Sequence, residues 1–156
     1  MRKIFLILLF ASMNLLQAEE SAAKVVYDLT TKDLAKFERN ILKGIVVNKT
    51  HYESTLKELD VTIVIHGGAY RFFTKDPEHS IFKDDTALIQ TYKDLAKRIA
   101  SMAKNYDVEF LMCGAAMPRN KLEAKDVYNF VKIIPNSTIG LIDRQNDGYA
   151  YIPVGD

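Results

Sequence analysis

The sequence predicts an α/β domain with a mostly parallel sheet covered by helices on both faces. Three observations carry this. Short β-branched runs alternate with segments whose apolar residues recur at helical spacing. One run, "VTIVI" from Val61, is apolar throughout apart from a threonine, as in a strand buried on both faces. No internal repeat, low-complexity segment or linker interrupts the alternation, so the strands should be joined by βαβ crossovers.

The N-terminus differs in kind from the rest. Arg2 and Lys3 precede a nearly unbroken apolar stretch of 13 residues, Ile4 to Leu16, and small Ala18 stands just before acidic Glu19. This order predicts a secretory signal peptide over residues 1–18, with the mature chain starting near Glu19. A spanning helix needs about 20 apolar residues, so no membrane span is expected after processing. A periplasmic or secreted location follows as an expectation.

Residues 19–156 then read as a single domain. "KVVYDL", Lys24 to Leu29, is a first strand. Leu34, Phe37, Ile41 and Ile45 step at helical spacing, which predicts a helix over about Asp33 to Asn48, weakened at Gly44. Val61 to His66 is the second strand. A loop of 17 residues follows, Gly67 to Lys83, with Tyr70, Phe72, Phe73 and Phe82 among charges. So long and aromatic a loop suggests a lid or an interface. Leu88, Tyr92, Leu95, Ile99 and Met102 mark a second amphipathic helix. Val108 to Cys113 is the third strand, Lys121 to Val127 a short helix, and Phe130 to Ile134 the fourth strand, stopped by Pro135. Ser137 to Gln145 is a helix ending before Gly148, and "YAYIPV" closes as the fifth strand.

Composition narrows the function classes. The chain has 156 residues, 48% hydrophobic and 26% charged, with a net charge of +1. Lys and Arg are scattered, so nucleic acid is not an expected partner. The three histidines are 15 and 13 positions apart, with no short-range ligand pair, so no metal site is expected. "HGGAYR" lacks the spacing of a phosphate loop or a dinucleotide fingerprint, and no cofactor is expected.

Candidate chemistry concentrates at strand ends. In open α/β sheets ligands bind beyond the carboxyl ends of the strands. His66 and Cys113 both stand there, 47 positions apart in sequence. Cys113 is the chain's one cysteine, so it forms no internal disulfide. Three readings stay open: a buried filler, half of an intermolecular bridge, or a working thiol. A thiol just before a helix gains acidity from that helix's free N–H groups, and a nearby imidazole would help. Cys113 and His66 are therefore the candidate catalytic residues. Gly67, Gly68, Tyr70, Arg71 and Gly114 are candidate ligand-binding residues around them. Arg71 and Arg119 could bring positive charge to the strand ends, although each also suits a solvated loop.

"VTIVIHGGAYRFF", "VEFLMCGAAM" and "VKIIPNSTIGLIDRQNDGYAYIPV" together resemble the DsrE/DsrF-like family, especially its exported single-domain members. The likeness runs from about Lys24 to Val154. It implies a three-layer α/β/α sandwich with a parallel five-stranded sheet, and homo-oligomers, often trimers or hexamers. In cytoplasmic members of sulfur relays a cysteine carries sulfur as a persulfide between partner proteins, and Cys113 matches its place after the third strand. A sulfur donor or acceptor protein is the partner this implies. An exported chain would use the site outside the reducing cytoplasm. The rival expectation is a non-catalytic small-ligand-binding or assembly module with a structural cysteine.

Overall fold

The computed structural model describes residues 22–156, so the expected signal peptide lies outside the described residues. Five strands form one sheet: β1 (Ala23–Leu29), β2 (Leu59–Ile65), β3 (Val108–Cys113), β4 (Val131–Ile134) and β5 (Ala150–Val154). Their order is β4-β3-β2-β1-β5, and every pair is parallel. The sheet is thus wholly rather than mostly parallel.

The first crossover is a continuous helical run: α1 (Leu34–Phe37), a π-helical segment Glu38–Lys43, and α2 (Gly44–Ser54). It starts where expected, since the Asp33 carboxylate accepts from the Lys36 N–H at 2.9 Å. It runs beyond the expected Asn48. The wide π turn lets the consecutive residues Ile41 and Leu42 both reach the core. The second crossover ends in α3 (Thr86–Asn105), capped by Asp85. α4 (Ser137–Asn146) links β4 to β5.

Handedness decides which face each helix covers. From β1 to β4 the chain steps one way across the sheet, and from β4 to β5 it returns to the far edge. Right-handed connections therefore place α4 on the face opposite α1–α3. The packing agrees. Phe37, Ile41, Leu95 and Ile99 join the large core on one face, whereas Val26, Val64 and Leu111 form a small core under α4 with Leu141. Gly140 eases that approach, because a Cβ there would overlap the end of the Ile134 side chain.

Two local expectations are corrected. The aromatic segment is not a lid: Ala69–Phe73 is a 3-10 turn whose Tyr70, Phe72 and Phe73 are buried. Phe72 stacks on Phe37 with ring centroids 4.4 Å apart, and Phe73 meets the edge of the same ring. These rings fill the large core, so an oligomer contact through Phe72 or Phe73 is not available in this state. Lys121–Val127 is likewise no α-helix. It holds one 3-10 turn, Ala124–Asp126, preceded by Lys121 at φ +51°. So short a segment cannot offset helix nucleation.

Candidate functional site: a thiol facing a helix N-terminus

Cys113 is the last residue of β3, and it is 5% exposed. The connection after β3 stays on the large-core face through Met117, Leu122 and Val127, whereas β4 leads to α4 on the other face. Neighbouring strands whose connections diverge leave a crevice at their carboxyl ends, where α/β proteins bind ligands. Cys113 ends β3 at this point of the topology.

The ends of β3 and β4 are laced together. The Ala115 N–H donates to the Pro135 carbonyl at 3.1 Å. Gly114 lies so close to β4 that a Cβ would stand 2.9 Å from the Ile134 carbonyl oxygen. Pro135 ends β4, and the Asn136 side chain caps α4 by accepting the Ile139 N–H at 2.9 Å. The first residue of α4, Ser137, is thereby brought to the thiol.

The thiol's acidity follows from this packing. Burial pushes it up. The Ser137 N–H, the Tyr70 hydroxyl, the Ala116 N–H and the Ser137 hydroxyl pull it down, and the net result lies below the ordinary cysteine value. Among these the amides count most. The Tyr70 hydroxyl has one proton, and it is donated to the Cys113 carbonyl at 2.5 Å, so it is not also free for Sγ. Burial pushes Tyr70's own ionisation far up. The helix N-terminus is the feature that favours a thiolate.

The other predicted residues are placed as follows. His66 follows β2, and its Nε2 meets Asp28 Oδ1 of β1 at 2.5 Å. The Tyr151 hydroxyl from β5 donates to Asp28 Oδ2 at 2.6 Å. Arg71 pairs with Asp85 at 2.5 Å and lies over the Phe82 ring, so its charge is engaged at the start of α3. Gly67 and Gly68 are accounted for by packing. Gly67 has φ +59°, and a Cβ on Gly68 would be 2.8 Å from Lys32 Cβ. Tyr70 is wholly buried beneath the site. Arg119 is exposed.

Sequence reasoning missed Ser137, Ala116, Asp28 and Tyr151. Ser137 had a signal, because Pro-Asn-Ser after a strand announces a capped helix start. Asp28 stood out only as a lone acid in an apolar strand. A cleft of about 440 Å³ lined by Thr62, Glu109, Lys132 and Arg144 lies elsewhere, toward the amino ends of β2 and β3. Its Glu109 carboxylate is engaged by Lys132, Arg144 and Thr62. It is remote from the thiol chemistry.

Fold and site define an α/β protein that presents a thiol to a helix N-terminus at the carboxyl edge of a parallel sheet. Residues 13–154 match the model of the DsrE/DsrF-like family, and the chain belongs to that family. An uncharacterized protein of Aquifex aeolicus (strain VF5) is 31% identical over 107 residues, covering 64% of this chain and 47% of its own length. The chain thus spans about half the length of that relative. In three dimensions it is similar to MTH1491 of Methanobacterium thermoautotrophicum, a protein of unknown function. That likeness has a TM-score of 0.59 at 17% identity and covers 84% of this chain and 98% of the other. It supports the fold alone.

Proposed function

We propose that this DsrE/DsrF-like protein carries sulfane sulfur on Cys113. The single observation behind the reading is the buried edge thiol whose acidity is raised by the amides of Ser137 and Ala116. In uptake, the Cys113 thiolate attacks the terminal sulfur of a donor persulfide. A new S–S bond forms at Sγ, the donor's S–S bond breaks, and the donor leaves as a thiolate. Delivery is the reverse, with an acceptor thiolate attacking the sulfur held on Cys113. No electrons are gained or lost overall.

The charged, apolar and small-residue order of Arg2 to Ala18 supports export to the periplasm or beyond. We also propose a homo-oligomer. With the aromatic segment buried, Ile139 and Ile142 on α4 and Ile152 on β5 are among the exposed apolar side chains left for contact. A second functional reading has its own support: at 5% exposure Cys113 also packs as a core residue, which suits a binding or assembly module.

Mass spectrometry of protein purified from its native host without reductant tests both. Added sulfur on Cys113, with an N-terminus near Glu19, is the expected result. A bare Cys113 that takes no sulfur from a persulfide in native protein, yet alkylates fully once denatured, would leave the binding-module reading in its place. Intact Met1 would remove the export proposal.

A further inference from the structure

Asp28, His66 and Tyr151 form a chain of polar side chains across three strands at the carboxyl edge of the sheet. Asp28 is 15% exposed at the side chain and His66 26%. The carboxylate uses one oxygen for His66 Nε2 and the other for the Tyr151 hydroxyl. A carboxylate at Nε2 requires a proton on that nitrogen. The nitrogen left free is Nδ1, which holds no hydrogen bond among the described residues.

Register brings this chain to the thiol's side of the sheet. Val64 of β2 pairs with Leu111 of β3, and both pack under α4. Strand alternation directs positions 66 and 113, two further on, to the same side, and at the sheet's edge the thiol touches both the large core and the start of α4. Val26 also packs under α4, which puts Asp28 on that side as well. His66 and Cys113 each stand one residue past the last paired positions, Ile65 and Met112, of strands about 4.8 Å apart.

We infer that His66, oriented by Asp28 and Tyr151, is the acid–base group of the Cys113 site, with Nδ1 exchanging a proton with the incoming sulfur compound. This rests on the sulfur-carrier reading. Uptake begins with Cys113 as thiolate and His66 as imidazolium. As Sγ bonds to the donor's terminal sulfur, the donor's alkyl thiolate leaves and takes the proton from Nδ1. The products are the Cys113 persulfide, a neutral donor thiol and neutral His66. In delivery Nδ1 removes the proton of the acceptor thiol, whose thiolate attacks the persulfide. Thiolate and imidazolium are restored, and neither protons nor electrons accumulate. Among the described residues the titratable groups hydrogen-bonded to the ring are Asp28 from β1 and, through Asp28, Tyr151 from β5; Cys113 lies on the neighbouring strand β3. His66 is placed as a catalytic residue in this step, and Asp28 and Tyr151 are positioning residues.

The test separates proton delivery from a structural role by changing the leaving group. Full-chain wild type, His66→Gln, Asp28→Asn and Tyr151→Phe are compared in their rate of reaction at Cys113. One probe is glutathione persulfide, whose alkyl thiolate is a poor leaving group. The other is dithiobis(nitrobenzoate), whose aromatic thiolate departs without a proton. His66→Gln and Asp28→Asn should slow reaction with the persulfide by about tenfold or more, a modest share of what general acids contribute. Tyr151→Phe should slow it less. Slowing toward the aromatic disulfide should be several-fold smaller, because that probe reads only the thiolate fraction and needs no proton delivered to its leaving group. Equal slowing toward both probes, or no slowing toward either, overturns the inference and leaves the carrier reading standing. If wild type takes no sulfur from the persulfide while reacting with the disulfide, the carrier reading falls and this inference with it. Should His66→Gln fail to fold, the Asp28→Asn comparison decides alone.

Discussion

The Tyr70 hydroxyl donates to the Cys113 carbonyl at 2.5 Å, from a side chain with no exposed surface. A residue from the turn after β2 thus pins the end of β3 from beneath. The same geometry that keeps Tyr70 away from solvent holds Cys113 in register with α4.

Removing that hydroxyl should be felt in stability first. Tyr70→Phe leaves the buried Cys113 carbonyl without its donor, which costs about 1–3 kcal/mol. Urea denaturation monitored by circular dichroism measures it. Because the amides of Ser137 and Ala116 remain, alkylation of native Cys113 should change much less than stability does. A tenfold loss of thiol reactivity with unchanged stability would mean that the hydroxyl serves Sγ rather than the carbonyl.

The depressed ionisation of Cys113 has a signed consequence for pH. The folded thiol ionises at lower pH than the unfolded one. Its contribution is complete above the unfolded value and is lost as pH falls through the folded value. Wild type should therefore gain stability over Cys113→Ser as pH climbs from neutral through about 8.5, the ordinary thiol range. Iodoacetamide labelling of native protein should likewise reach half its maximal rate below that range. A stability difference that is flat in pH would show that the thiol ionises alike in both states.

Two glycines provide a contrast in packing. At Gly114 a Cβ meets the Ile134 backbone oxygen, which cannot swing aside, so Gly114→Ala should cost about 1–3 kcal/mol and displace the thiol from α4. At Gly140 the nearest atom is the far end of the Ile134 side chain, which can rotate, so Gly140→Ala should cost less. Denaturation midpoints rank the two. Only Gly114→Ala should also reduce labelling of Cys113.

Glu109 gives a second pH signature, independent of the thiol. Burial raises its carboxyl, but Lys132, Arg144 and Thr62 outweigh that and hold it below the usual carboxylate range. A depressed carboxyl stabilises the fold above its unfolded value, and the benefit fades as pH falls through the folded one. Glu109→Gln should be less stable than wild type at neutral pH. The gap should narrow as pH drops below about 4, the unfolded carboxyl range. A gap that persists unchanged in acid would point to packing instead of charge.

Much of this architecture was present in the sequence itself. The short apolar runs marked all five strands within two residues of where they lie, and the spacing of Leu88, Leu95, Ile99 and Met102 marked α3. Those patterns are local, because a strand or helix must show one face to the core at a fixed period. The carboxyl-edge positions of Cys113 and His66 followed from the same reading. Tertiary structure decided the rest. Phe72 and Phe73 stand amid charges in sequence, and only the crossing of α1 over the sheet puts Phe37 against them. Ser137 reaches Cys113 because β4 pairs beside β3 and a right-handed return sends α4 to the other face. His66 takes Asp28 as its partner because β1 lies beside β2. A hydrogen-bond partner distant in sequence leaves no periodic trace, so which groups tune this thiol and this imidazole is set by strand order, and strand order is a property of the folded chain.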